Sequence, residues 1–156
     1  MFQDNKIIIS SNTLKARVTR ANNQFKEDSR IPEIFRATLK DYKGTGYDRG
    51  HLAPAANHLG SEEAVSDTFF LSNICPQDPA FNRGYWLKLE KHIRNLTQEY
   101  QTIEIYTGPL FMPQEDKEGN RIVLYRVIGK NDVAVPTHFY KVLFLHSTNG
   151  EISELA

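Results

Sequence analysis

The chain has 156 residues, of which 40% are apolar and 24% charged, and its net charge at pH 7 is zero. This fits one soluble globular domain, residues 1–156, and a zero net charge does not exclude a nucleic-acid partner, since such affinity depends on local Lys and Arg. No apolar stretch approaches the roughly 18 residues of a membrane span, KIIIS is too short for a signal peptide, and the lone Cys75 excludes an intramolecular disulfide.

The predicted elements begin with the apolar run NKIIIS, which fits a strand or a short helix, followed by a polar loop over residues 22–30. The glycines of KGTGYDRGH, at positions 44, 46 and 50, allow the backbone to turn sharply and to approach a ligand closely. The next run, DTFFLSNICP, predicts a buried strand that ends at Pro76.

The clearest predicted helix is YWLKLEKHIRNLTQEY, residues 85–100. Its apolar residues recur at spacings of three and four and therefore form one buried stripe, made of Trp86, Leu89, Ile93, Leu96 and Tyr100. Glu90 and Arg94 are four residues apart and flank that stripe. We therefore expect both side chains at the border between core and solvent.

Three strand-like runs follow the helix: TIEIYTG, RIVLYRVIG and HFYKVLFLHS. Turn-forming residues separate them, so antiparallel pairing of successive runs is the simple interpretation. A helix followed by successive strands indicates an α+β fold and not alternating α/β units.

The stretch YDRGHLAPAANH, residues 47–58, contains the first candidate site. The imidazole of His51 titrates near neutrality and could remove a proton from water. If this stretch is a strand, Arg49 points to the same side as His51, where its guanidinium could hold phosphate oxygens, while Asp48 faces away toward a structural partner. The alternative is a surface turn with an internal ion pair.

Four further polar residues strengthen the functional interpretation: Asn73, Asn82, Glu90 and Arg94. Mg²⁺ takes only one or two oxygen ligands from protein, and an Asn carbonyl and a Glu carboxylate are suitable donors. Each residue also has a simpler explanation. Asn82 could be a helix N-cap, Glu90 and Arg94 a surface ion pair, and Asn73 a turn residue at a strand end.

Together these motifs resemble the DNA/RNA non-specific endonucleases of the ββα-metal type, most closely the endonuclease G-like mitochondrial nucleases. The resemblance rests on Asp48-Arg49-Gly50-His51 with LAPAANH, on DTFFLSNICPQ, on FNRGYWLKLEKHIRNL, and on YTGPLF with VIGKNDVAVPTHFYKV. It implies a ββα-metal nuclease core, with a central, mostly antiparallel sheet flanked by helices. Family members continue beyond the strand near Phe144, so we expect the C-terminal part of the family fold to be missing.

The resemblance also implies a role for each candidate residue. His51 corresponds to the general base, Asn82 to the direct metal ligand, and Glu90 to the acid that orients metal-bound water. Asn73 corresponds to an asparagine that helps to position His51 or the water shell. Arg49, Arg94 and Arg20 correspond to arginines that contact the nucleic-acid phosphate.

The activity implied is Mg²⁺-dependent hydrolysis of DNA and RNA to 5′-phosphate products, with weak sequence preference and with Mn²⁺ as a substitute ion. The resemblance further suggests a homodimer and a mitochondrial location. Two other hypotheses are a nucleic-acid-binding module of the same fold with impaired catalysis, and a metal-dependent phosphodiesterase that acts on a small molecule. Metal-dependent cleavage of plasmid and RNA that is lost in His51→Ala distinguishes the nuclease from both of these alternatives.

Overall fold

The computed structural model describes residues 6–155 and contains ten strands and four α-helices. The strands are β1 (Lys6–Ile9), β2 (Asp48–His51), β3 (Ile74–Gln77), β4 (Thr102–Leu110), β5 (Gln114–Glu115), β6 (Arg121–Ile122), β7 (Val127–Ile128), β8 (Val133–Ala134), β9 (His138–His146) and β10 (Ile152–Leu155). The helices are α1 (Leu39–Tyr42), α2 (Glu62–Asp67), α3 (Pro79–Phe81) and α4 (Leu87–Asn95).

The main sheet is antiparallel, in the order β1-β4-β9-β10. Strands β1, β4 and β9 alternate buried and accessible residues, as expected when one face of a sheet covers a core, whereas β10 is exposed throughout. Ile105 pairs with Ile7 on one side and Leu143 on the other, and all three are buried. Ile93 of α4 packs on this face in the same apolar cluster, so α4 lies across the sheet.

A smaller, two-stranded antiparallel sheet, β2–β3, precedes the helical segment. This segment begins with Asp78, whose side chain accepts hydrogen bonds from the N–H groups of Ala80 and Phe81, as an N-cap does. It continues through α3, a π-helical stretch (Asn82–Trp86), α4, and a 3-10 turn (Leu96–Gln98). Two strands followed by a helix form the expected ββα unit, and the α+β fold is confirmed.

The helical stripe predicted from sequence is also confirmed. Trp86 and Ile93 are buried, and Leu89, Leu96 and Tyr100 pack against the main core. The helical segment begins at Pro79, six residues before the predicted start, because Asp78 and Pro79 supply a cap and a favourable first residue.

Two predicted strands are wrong in extent. DTFFLSNICP contains the end of α2 and a 3-10 turn (Leu71–Asn73) before β3 begins at Ile74. RIVLYRVIG is not a strand of the main sheet: it holds only β6 and β7, which pair locally with β5 and β8. The residues between them, 123–126, are exposed, so apolar composition alone misled the prediction. β4 therefore pairs directly with β9.

No helix in residues 6–155 is both long enough and apolar enough to cross a membrane.

Candidate active site

One cavity of about 710 Å³ lies between the β2–β3 sheet, the helical segment, the loop around residues 20–25, and α1 with the loop that follows it. It brings together six of the seven site residues predicted from sequence: Arg20, Arg49, His51, Asn82, Glu90 and Arg94. Five cationic and two acidic side chains border it, namely Arg20, Lys43, Arg49, Arg83 and Arg94 against Asp48 and Glu90. A chain of zero net charge thus has a locally cationic cavity, which suits a polyanionic ligand.

His51 ends β2 and packs against two aromatic rings. Its ring centroid is 5.4 Å from that of Phe25 and 4.9 Å from that of Phe69. Burial, together with the charge of Arg20, lowers the pKa of His51 to about 4, so the imidazole is neutral at pH 7. Its Nε2 is buried without a hydrogen-bond partner in residues 6–155. A neutral imidazole at the cavity wall can accept a proton.

Arg49 lies two residues before His51, and because β2 is a strand, both side chains face the cavity as predicted. The guanidinium of Arg49 stacks over the ring of Phe25, 4.5 Å from its centroid. This contact supports the guanidinium on one face and leaves its N–H groups available for an anion. The phenyl ring of Phe25 therefore supports both Arg49 and His51.

Asp48 of β2 binds two residues of the helical segment. Its carboxylate accepts hydrogen bonds from Asn82 Nδ2 (2.9 Å) and from Arg83 Nε (2.7 Å), and the ion pair with Arg83 holds the pKa of Asp48 below its usual value. Asp48 thus has the structural partners that were predicted, Asn82 and Arg83. The expectation that Asp48 faces away from His51 and Arg49 is wrong. Asp48 also borders the cavity, because the helical segment crosses the start of β2 there.

The Asp48 contact fixes the orientation of the Asn82 amide. Since Nδ2 donates to Asp48, Oδ1 is the atom that remains to bind a cation. Asn82 is not the helix N-cap, a position that Asp78 occupies. The alternative explanation of Asn82 as a helix N-cap is therefore wrong.

Glu90 and Arg94 are partly buried residues of α4 that both border the cavity. Burial raises the pKa of Glu90, and the nearby charges of Lys141, Arg94 and Arg20 oppose that change. Although both residues are in the described part of the chain, Glu90 and Arg94 form no ion pair; Arg94 Nη1 donates instead to Asn57 Oδ1 at 3.0 Å. The alternative explanation of Glu90 and Arg94 as a surface ion pair is therefore wrong.

Asn73 is the predicted site residue that does not border the cavity. Its side chain accepts a hydrogen bond from the N–H of Ala53 (3.0 Å) and donates to the carbonyls of Ala53 and Thr68. Its own carbonyl accepts from the N–H of Leu52 at 2.9 Å. Asn73 thus binds the backbone that follows His51 directly, a geometry suited to positioning that residue.

The sequence reasoning missed several residues of this site. Phe25, Lys43, Tyr47 and Arg83 border the cavity, Asn57 binds Arg94, and Lys141 binds the Leu52 carbonyl next to His51. Arg83 stands beside Asn82 in the helical segment, and Asn57 lies in the LAPAANH motif, so both were within reach of sequence reasoning. Phe25 and Lys141 come from distant elements and gave no local signal.

The oxygen donors of the cavity fit a mostly hydrated divalent ion. Within residues 6–155 there is no group of three or more His, Cys, Asp or Glu side chains that could enclose a metal. Mg²⁺ requires only one or two protein oxygens because water supplies its other ligands. Asn82 Oδ1 and the Glu90 carboxylate are such oxygens on one cavity wall.

The chain is similar in sequence to known nucleases. The chain is 53% identical over 128 residues to human "Endonuclease G, mitochondrial", covering 82% of this chain and 43% of that protein. It is 50% identical over 139 residues to the "Mitochondrial nuclease" of Saccharomyces cerevisiae, covering 86% of this chain and 42% of that protein. The chain thus spans less than half the length of these two curated relatives.

A solved structure, that of the EndoG/EndoGI complex, contains a chain of the same fold. The TM-score is 0.92 at 40% sequence identity, over 96% of this chain and 62% of that chain. The family pattern of the DNA/RNA non-specific endonucleases matches residues 6–155. The chain therefore belongs to the DNA/RNA non-specific endonuclease family.

Proposed function

We propose that this chain is a nuclease domain that hydrolyses phosphodiester bonds of DNA and RNA with the help of Mg²⁺. One observation carries the proposal. A single cationic cavity contains a neutral histidine, an Asn and a Glu that offer oxygen ligands, and arginines placed to hold a phosphate. Family membership supports the same activity.

The arginines bind and orient the substrate. Arg49 and Arg94 hold the scissile phosphate with charge-assisted hydrogen bonds, and Arg20, Lys43 and Arg83 attract the flanking phosphates. These contacts read the backbone and not the bases, so cleavage has weak sequence preference and extends to DNA and RNA. The arginines also neutralise charge that grows on the phosphoryl oxygens.

His51 takes the proton of the attacking water. Because Nε2 is enclosed, we assign Nδ1 as the nitrogen that accepts it. The water oxygen then bonds to phosphorus while the bond from phosphorus to the 3′ oxygen breaks, which leaves a 5′-phosphate and, after protonation from solvent, a 3′-hydroxyl. The phosphate anion bound beside the imidazole favours its charged form and so raises its basicity above that in the free protein.

Asn82 Oδ1 and Glu90 would hold the divalent ion. When bound, Mg²⁺ supplies Lewis-acid stabilisation of the phosphoryl and leaving oxygens, and Mn²⁺ substitutes for it. Asp48 holds the Asn82 amide in the orientation that presents Oδ1. Asn73 holds the backbone after His51.

Nicking of supercoiled plasmid, with a parallel assay on RNA, tests this function. We expect activity with Mg²⁺, loss of activity in EDTA, and loss of most activity in His51→Ala and Asn82→Ala. His92→Ala is the matched control, because His92 is an exposed histidine of α4 that does not border the cavity. Binding of nucleic acid without any cleavage by folded wild-type protein would contradict the proposal and favour a binding module.

The proposed compartment is the mitochondrion, since several similar nucleases carry that word in their names. We also propose a homodimer. Fractionation of cells that produce this protein tests the location. The molar mass in solution tests the dimer.

A further inference from the structure

Lys141 is a buried lysine at the centre of β9. It pairs across the sheet with Thr107 of β4 and is only 8% exposed. Burying an ammonium group is costly unless it is well partnered. Its partners here are the Leu52 carbonyl at 3.2 Å, Thr107 Oγ1 at 3.1 Å and the ring of Trp86, whose centroid is 4.4 Å from Nζ.

Two of these partners adjoin His51. Leu52 is the next residue in the chain, and Trp86 donates a hydrogen bond from Nε1 to the His51 carbonyl at 3.3 Å. Lys141 and Trp86 therefore hold two successive carbonyls, and Lys141 also packs on the Trp86 ring. Together they connect the main sheet and the helical segment to the end of β2.

The charge of Lys141 also acts within the site. Burial lowers the pKa of Lys141 to about 8, while Glu90 opposes that change, so the ammonium form still predominates at pH 7. Lys141 does not border the cavity, although Glu90 does. It therefore has no direct access to the substrate, and it acts on the reaction through the residues that it contacts and through its charge near Glu90.

We infer that Lys141 is a positioning residue of the nuclease reaction, whose ammonium group fixes the His51–Leu52 backbone through the Leu52 carbonyl and the Trp86 ring. This inference rests on the proposed function. An error of about 1 Å in the placement of a catalytic group can reduce a rate by roughly a hundredfold. Lys141 thus fixes the position of His51, the proposed general base, relative to the main sheet.

The test compares Lys141→Met and Lys141→Gln with wild type and with Leu143→Ala. Methionine removes the hydrogen-bond donors but has a side chain of similar length, whereas glutamine retains a hydrogen-bond donor without the charge. Leu143 is a buried core residue of the same strand that is outside the cavity lining, so its truncation controls for loss of stability. Steady-state cleavage is measured below the unfolding transition of every variant.

We expect Lys141→Met to lower kcat by about 10–100-fold, with KM changed by no more than about threefold, as for other supporting contacts of a catalytic group. Lys141→Gln should recover part of that loss, because its amide can donate to the Leu52 carbonyl. A Lys141→Met kcat equal to that of Leu143→Ala overturns the inference. An increase in KM at unchanged kcat also overturns it, since that pattern belongs to substrate binding.

A second measurement needs no activity. Trp86 is the only tryptophan of the chain, so its indole N–H gives one signal in a ¹H–¹⁵N spectrum. We expect that signal to shift in Lys141→Gln but not in Leu143→Ala. An unshifted signal in Lys141→Gln overturns the inference, even if Lys141→Met fails to fold. Wild-type protein without cleavage contradicts the proposed function instead, and the two failures are therefore distinguishable.

Discussion

Gly50 lies directly against the side chain of Gln77, the residue at the end of the partner strand β3. A Cβ atom built on Gly50 would overlap the Gln77 side-chain carbons Cγ and Cδ. Gln77 is almost fully buried, at 1% exposure, and has no open space to retreat into. The glycine between Arg49 and His51 therefore allows Gln77 to fill the space beneath β2.

We expect Gly50→Ala to destabilise the protein by about 1–3 kcal/mol, because the methyl group overpacks a buried contact. Cleavage should also fall, since β2 carries both Arg49 and His51. Urea unfolding and plasmid nicking measure the two effects. Gly60→Ala is the control, because the nearest atom to its added Cβ is the Thr13 carbonyl oxygen at 3.9 Å.

A double variant tests the cause of this effect. In a Gln77→Ala background the space beneath Gly50 is free, so Gly50→Ala should cost much less stability there than in wild type. An equal cost in both backgrounds would show that Gln77 is not the reason for the glycine.

The stability of the protein should depend on the protonation of His51. Burial holds the pKa of His51 near 4 in the folded state, whereas an unfolded histidine titrates near 6.5. Between about pH 6.5 and pH 4 the unfolded state therefore binds more protons, and stability falls as the pH falls through that window.

Comparison with His51→Gln isolates this contribution, since His58 and the other histidines remain in both proteins. Unfolding free energies are measured in urea from pH 7 to pH 5. The advantage of wild type over the variant should shrink by about 2 kcal/mol over this range. A pH-independent difference would mean that the folded protein accepts the imidazolium at little cost.

The affinity for the divalent ion should depend on Asp48. Asp48→Ala releases the Asn82 amide, so we expect the Mg²⁺ concentration for half-maximal cleavage to rise by about 10–100-fold. Arg83→Ala removes the other partner of Asp48 but leaves the bond to Asn82 intact, so its effect should be smaller. Equal effects of the two variants would refute the role given to the amide orientation.

Local sequence was sufficient for much of the site. Arg49 and His51 are two residues apart on a strand, and Glu90 and Arg94 are four residues apart on a helix, so backbone periodicity places each pair on one side. The apolar stripe of that segment was predicted on the same basis. These features depend on residues that are neighbours along the chain.

Other features depend on contacts between distant segments, which periodicity does not report. Phe25 supports Arg49 from a loop that looks like a plain polar connection, and Lys141 reaches Leu52 across 89 positions. RIVLYRVIG has the composition of a strand, but it does not join the main sheet, in which β4 and β9 pair directly with each other. Tertiary context decided its conformation.

Asn57 accepts a hydrogen bond from Arg94 Nη1 and is itself only 5% exposed. Burial lowers the pKa of Arg94, which shows that its charge is partly desolvated, so a fixed acceptor matters for its placement. A hydrogen bond to a charged group contributes about 1.5–3 kcal/mol, so Asn57→Ala should lower kcat/KM by about tenfold or more. In an Arg94→Ala background the same substitution should have no further effect.

Thr97→Val is the control, because Thr97 donates only to the Arg94 backbone carbonyl. If Thr97→Val is as harmful as Asn57→Ala, local packing and not the Asn57 side chain places Arg94. If Asn57→Ala still lowers kcat/KM without Arg94, Asn57 acts on the substrate by another route.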